Sequence, residues 1–193
     1  VAREEIGPSA FLGNLNFVKG NLNKSLEGYL WNFIDSHDTA RFLHSAGGSR
    51  AKQRLAAAMQ LLLPGMPMIY YGDEVGMEGG PDPDCRRGML WAESRQDGEC
   101  LGYYRQLIRI RHTYPVLTKG RLTVQSADDD RGILYLERES GGRRMVLIFH
   151  VRKGKAEFPE LEGWKNLISG RAFSGSLEDY EAAVLVRDED AWS

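Results

Sequence analysis

The chain has 193 residues, a formal net charge of -2 and a hydrophobic fraction of 42%, an ordinary globular balance with room for one or two modest domains. Near-neutral charge leaves no basic field to recruit nucleic acid or an anionic membrane surface, so neither partner is expected. The longest apolar run, Met59 to Tyr71, is broken by Pro64, Gly65 and Pro67, and no segment approaches the ~20 apolar residues of a membrane span.

The N-terminal VAREEIGPSA lacks a signal-peptide pattern and an initiating methionine, as expected of a processed or truncated chain. Only Cys85 and Cys100 are present, which argues against a disulfide framework and for a reduced, cytoplasmic setting. From Val1 to about Gly28, pieces such as GNLNFVKGNLNKS read as loop with a short helix. Tyr29 to Ile34 reads as a buried strand, Arg50 to Leu63 as a helix stopped by Pro64 and Gly65, and Met66 to Tyr71 as a second buried strand. Strand, crossover with a helix, and strand make a βαβ unit with parallel strands. A Gly- and Pro-containing loop follows to about Gly98, then an amphipathic helix through Leu101, Tyr104, Leu107 and Ile108 that ends near Tyr114 and Pro115.

Beyond that point the period changes. Arg121–Gln125, Gly132–Glu137, Arg144–His150, Asn166–Ile168 and Ala183–Val186 are short strand-like runs separated by turns such as SADDDRG and ESGGR. They predict a small antiparallel sandwich, with Trp164 and Tyr180 contributing to its core. The division is expected at residues 1–117 and 118–193.

Parallel strands deliver functional groups at their C-terminal ends, and both predicted strands end in polar clusters. The first ends in Asp35, Ser36, His37 and Asp38; the second in Asp73 and Glu74. Three readings of the first cluster compete. Asp35 or Asp38 caps the following turn or helix; His37 and Asp38 ligate a metal, as in a phosphohydrolase, although no further ligand stands at a recognised spacing and His44 is isolated; or the cluster acts on a substrate. Asp73 and Glu74 are read as ordinary loop acids. The acidic turn Asp128 to Asp130 is read as solvated rather than as a calcium site, so no cofactor is expected.

NFIDSHDTARFL, then LLLPGMPMIYYGDEVGM, then GGPDPDCRRGMLW closely resemble, in order and spacing, the end of the catalytic barrel in the α-amylase family of glycoside hydrolases, nearest to its neopullulanase and cyclomaltodextrinase branch. The resemblance runs from about Tyr29 to the C-terminus. It implies the last βα units of a (β/α)8 barrel followed by an antiparallel β-sandwich, acting on an α-glucan oligosaccharide or cyclodextrin. It also implies that Asp38 is the transition-state-stabilising carboxylate, that His37 binds the sugar at the reacting position, and that Asp82 and Arg86 hold the neighbouring glucose. Arg41 matches a residue typical of the branch. Trp91 is read as packing rather than as a platform for a sugar ring.

A retaining mechanism needs a nucleophile and a general acid/base as well, and neither motif has a counterpart before Tyr29; Glu4 and Glu5 do not end a strand. The expectation is therefore a C-terminal part of a longer enzyme, inactive by itself, whose open strand edges drive homo-oligomerisation or strand swapping. The alternative is a noncatalytic carbohydrate-binding or interaction module.

Overall fold

The computed structural model describes residues 6–21 and 29–187; Glu4 and Glu5, and the part of the expected N-terminal loop at 22–28, lie outside them. The first described element is α1 (Pro8–Asn21), a 14-residue helix where the Asn- and Gly-rich sequence reads mainly as loop. Its support is tertiary. Asp129 Oδ1 accepts from Ser9 N at 2.8 Å, satisfying one of the donors that a helix start leaves unpaired, and the helix packs against the first long strands of the sheet.

The parallel pairing expected of the βαβ unit is present. β1 (Trp31–Asn32) and β2 (Met66–Pro67) pair in parallel with Trp31 opposite Met66, and Met66 N and Met68 N donate to Leu30 O and Asn32 O at 2.6 and 2.9 Å. Between them lie α2 (Phe42–Ser45) and α3 (Arg50–Leu62). Ser49 caps α3 by accepting from Lys52 N, and Pro64 and Gly65 follow its end, as their chemistry requires. Gly65 has φ 122°, and a Cβ there would stand 2.6 Å from Leu30 O, so the turn into β2 demands glycine. Neither strand is buried throughout: Tyr29, Trp31, Phe33 and Met66 are exposed, Trp31 at 64%.

α4 (Gly98–Thr113), capped by Asp97 Oδ1 on Cys100 N at 2.9 Å, and the short α5 (Val116–Lys119) lead into the sheet. Its strands are β3 (Arg121–Asp128), β4 (Ile133–Ser140), β5 (Arg143–His150), β7 (Lys165–Asn166), β8 (Arg171–Ala172) and β10 (Ala182–Val186), all antiparallel, in the order β3-β4-β5-β10-β7-β8. A separate pair is formed by β6 (Ala156–Glu157) and β9 (Ser176–Leu177).

Strand periodicity sends alternate side chains of the long sheet to opposite faces. Leu134, Leu136, Met145, Leu147, Phe149, Ala182 and Val184 join one core with Leu55, Met59 and Leu62 of α3 and Tyr104, Leu107 and Ile110 of α4. Ile133, Val146, Ile148, Ala183 and Leu185 face a second core with Phe158, Leu161, Phe173 and Leu177, against which Trp164 packs. The sheet is thus covered by helices on one side and by the β6–β9 segment on the other. Tyr180 is buried in the core on the helical side.

Candidate active site

β1 ends in a turn closed by Thr39 N donating to Ser36 O at 3.2 Å and by Asp38 N donating to Ser36 Oγ, also at 3.2 Å. This turn lifts His37 and Asp38 into solvent, with Asp38 70% exposed. After β2 the chain passes through a 3-10 turn at Asp73–Val75 and, further on, a second at Asp84–Arg86. The second turn lies against the first strand's end because Gly79 permits it. A Cβ on Gly79 would sit 2.6 Å from Asp84 O, and Gly79 O accepts from Arg41 N at 2.9 Å.

The four residues singled out by the motifs come together. Arg86 Nε lies 2.9 Å from Asp82 Oδ1, and its Nη2 lies 3.6 Å from Asp38 Oδ1. His37 Nε2 is 3.3 Å from the same Asp38 oxygen. Arg86 Nε also donates to His37 O at 3.0 Å, and Cys85 Sγ reaches that carbonyl at 3.3 Å. The forked guanidinium therefore joins two carboxylates that are distant in sequence. Both carboxylates and the imidazole stay open to solvent, an arrangement that offers acceptors and donors to a ring of hydroxyls. Arg87 pairs with Asp84 at 2.7 Å and holds its carboxyl below the usual range, bracing the same loop.

Asp35 and Asp38 divide the roles that the sequence leaves open. Asp35 is buried, and its Oδ2 accepts from Phe42 N at the start of α2; Asp38 makes no such bond among the described residues. Asp73 is not an ordinary loop acid. It is buried beside the fully buried Arg41, whose Nη1 donates to Asp73 Oδ1 at 3.1 Å and to Tyr71 O at 2.8 Å. The Arg41 guanidinium stacks on Tyr70 and Tyr71, 4.5 and 4.9 Å from the ring centroids, a favourable place for a desolvated cation. Sequence reasoning missed Asp73 because nothing local separates it from Glu74, whose carboxylate accepts from Gly72 N; a signal that could have found it is the Asp35 and Arg41 flanking the HD pair, a buried charge that needs a partner.

Trp91 is also corrected: at 82% exposed it packs into no core. An apolar cleft of about 560 Å3 lies between α1 and β1, lined in part by Phe11, Leu15, Leu30, Phe33 and Met59, and none of the four site residues lines it. Among the described residues no three His, Cys, Asp or Glu side chains cluster as a metal site. Asp128 and Asp129 of the acidic turn instead accept from Arg131 N and Ser9 N. Cys85 and Cys100 are free and buried, and no helix of the described residues is long and apolar enough to cross a membrane.

Comparison with known proteins gives the family. Residues 10–91 match the alpha amylase catalytic domain. Neopullulanase 2 of Thermoactinomyces vulgaris is 38% identical over 169 residues, 81% of this chain and 29% of its own length. A cyclomaltodextrinase of Geobacillus thermopakistaniensis is 35% identical over 182 residues, 92% of this chain and 31% of its own. The chain thus spans under a third of these relatives. The crystal structure of cyclic α-maltosyl-(1→6)-maltose hydrolase from Arthrobacter globiformis in complex with that sugar superposes with a TM-score of 0.80 at 28% identity, covering 95% of this chain and 41% of the other. With relatives at 38% and 35% identity that cover most of its length, the chain belongs to the α-amylase family of glycoside hydrolases, beside its neopullulanases and cyclomaltodextrinases.

Proposed function

We propose that the chain supplies the sugar-gripping part of a retaining α-glucan-processing active site. In this reading Asp38 holds the 2-OH and 3-OH of the reacting glucose with charge-assisted bonds that tighten as the ring distorts toward an oxocarbenium-like transition state. His37 binds the same sugar, and Asp82 and Arg86 position its neighbour. The observation that carries the reading is the link from His37 through Asp38 and Arg86 to Asp82, with no contact longer than 3.6 Å. The substrate is an α-glucan oligosaccharide or cyclodextrin. Trp91, standing free on the same loop, is available to stack on a sugar face.

The architecture that goes with this function is the last βα units of a (β/α)8 barrel at residues 1–117 and a β-sandwich at 118–193. A nucleophile and a general acid must then come from barrel strands other than β1 and β2. By itself the 193-residue chain should release no glucose or maltose from cyclodextrin, pullulan or starch, and detectable release overturns that part of the proposal. The exposed Trp31, Phe33 and Met66 would in isolation pair with a second copy or exchange strands. Free cysteines accord with a cytoplasmic setting.

The decisive test is a chimera in which residues 29–187 replace the matching segment of the Thermoactinomyces neopullulanase. Cyclodextrin cleavage is expected, and Asp38→Asn should lower kcat on the order of 10²–10³-fold, as for loss of one group that stabilises transition-state charge. A folded chimera without activity, or one indifferent to Asp38→Asn, overturns the assignment.

A further inference from the structure

Behind the exposed site lies a buried group of ionisable residues that the proposed chemistry does not use. Asp35, Arg41 and Asp73 are 3%, 0% and 2% exposed. Asp35 faces Asp73 closely enough for its charge and hydrogen bonding to raise the Asp73 carboxyl, and neither Asp35 Oδ1 nor Asp73 Oδ2 has a hydrogen-bond partner among the described residues. Two ionised carboxylates are both acceptors and cannot bond each other; one proton between them converts the contact into a hydrogen bond. Charge leads to the same answer. Two carboxylates and one guanidinium would leave an uncompensated negative charge in a desolvated site, whereas one bound proton makes the group neutral.

We propose that Asp35 and Asp73 share one proton and, with Arg41, form a neutral buried clamp that positions the turn bearing His37 and Asp38. Asp35 and Arg41 stand at the two ends of the segment 36–40. The first accepts from Phe42 N and faces Asp73, whose carboxyl it raises; the second donates to Tyr71 O, Asp73 Oδ1 and Gly79 O. Both ends of the turn are thereby anchored to the chain that follows β2. The name given to the turn rests on the sugar-binding reading above; the proton does not.

The surroundings favour the protonated acid. Burial first, and then the charge of Asp35 and the hydrogen bond to it, push Asp73 up to about 9 against the opposing pull of Arg41. From α3, Gln53 Nε2 donates to Asp73 O at 2.8 Å. From α4, Tyr104 and Cys100 face the pair, and burial pushes both upward, so that neither adds charge near neutrality. On its own segment Asp73 is flanked by Tyr70, Tyr71 and Glu74. A folded chain that keeps a proton the unfolded chain has released loses stability as pH rises from about 4 through about 9, the range over which Asp73 is protonated only when folded.

The test uses the 193-residue chain labelled with 13C in aspartate carboxyls. One carboxyl should remain protonated at pH 7 and titrate near pH 9, and unfolding at pH 7 should release about one proton. Asp73→Asn, which imitates the neutral acid, should abolish the high titration, flatten the fall in urea midpoint between pH 5 and 9, and leave the His37 ring resonances in place. Asp73→Leu and Arg41→Leu should shift those resonances, because the anchors of the turn are gone. Should Asp73→Asn fail to fold, Asp35→Asn must still move the high titration downward. Titration of every aspartate below pH 6, or a high titration that survives Asp73→Asn, overturns the shared proton; unchanged His37 resonances in Arg41→Leu overturn the clamp. A chimera that cleaves no glucan while the titration is present removes the functional reading and leaves the proton standing.

Discussion

The β1–β2 ladder and the β4–β5–β10 sheet are both built from apolar strand residues, yet they end in opposite states. In the sheet, every residue of β10 is buried and each pair it makes with β5 belongs to one of two cores: Val184 and Leu147 face the helices, Ala183 and Ile148 face the β6–β9 side. In the ladder, two residues per strand pair, and Trp31, Phe33 and Met66 stand in solvent. Apolar composition alone does not bury a strand; it needs a cover on each face and partners along both edges. The site sits with the less covered region, at the ends of strands whose loops are braced by charge instead of by a core.

Three variants probe that contrast. Phe149→Ala empties the middle of the sheet's helical face, where the ring is fully buried opposite Leu134 and Ala182. It should cost about 3–5 kcal/mol in urea unfolding, and a loss below 1 kcal/mol would mean that the sheet is not the stability centre. Arg138→Met is next. Its guanidinium is buried, with burial holding it down at about 10, and it donates to Leu117 O and Gly120 O at 2.7 Å each. Leaving two carbonyls without donors should cost about 2–3 kcal/mol, and a neutral result would show that water replaces the side chain. The smallest effect belongs to the ladder. Trp31→Ser with Phe33→Ser should change stability by less than about 0.5 kcal/mol while shifting light-scattering mass toward the monomer. A destabilisation comparable to Phe149→Ala would show that the ladder is covered after all.

What was legible in advance follows the same divide. The boundaries of α3, α4, β4, β5 and β10 fall within a few residues of their expected positions, because caps, prolines and period-2 alternation act locally. The parallel relation of β1 to β2 was legible too, from the crossover length. α1 was underestimated, since its support comes from Asp129, 120 positions away. Trp91 was misread as packing because a hydrophobic side chain in a loop does not carry its own exposure. The burial of Asp73 was invisible for the converse reason: its partners Asp35 and Arg41 belong to the preceding strand's end.

The sequence by itself determined the order of the longer strands and helices beyond residue 29, the family motifs, and His37, Asp38, Asp82 and Arg86 as the residues to watch. Tertiary structure alone decided that Arg86 reaches Asp38, 48 positions before it in the chain, to within 3.6 Å. It also decided that of two neighbouring acids, Asp35 and Asp38, the first is buried and the second open. Hydrophobic period and turn chemistry are written along the chain. Burial, and with it the charge state of a carboxylate, depends on groups that only folding brings near.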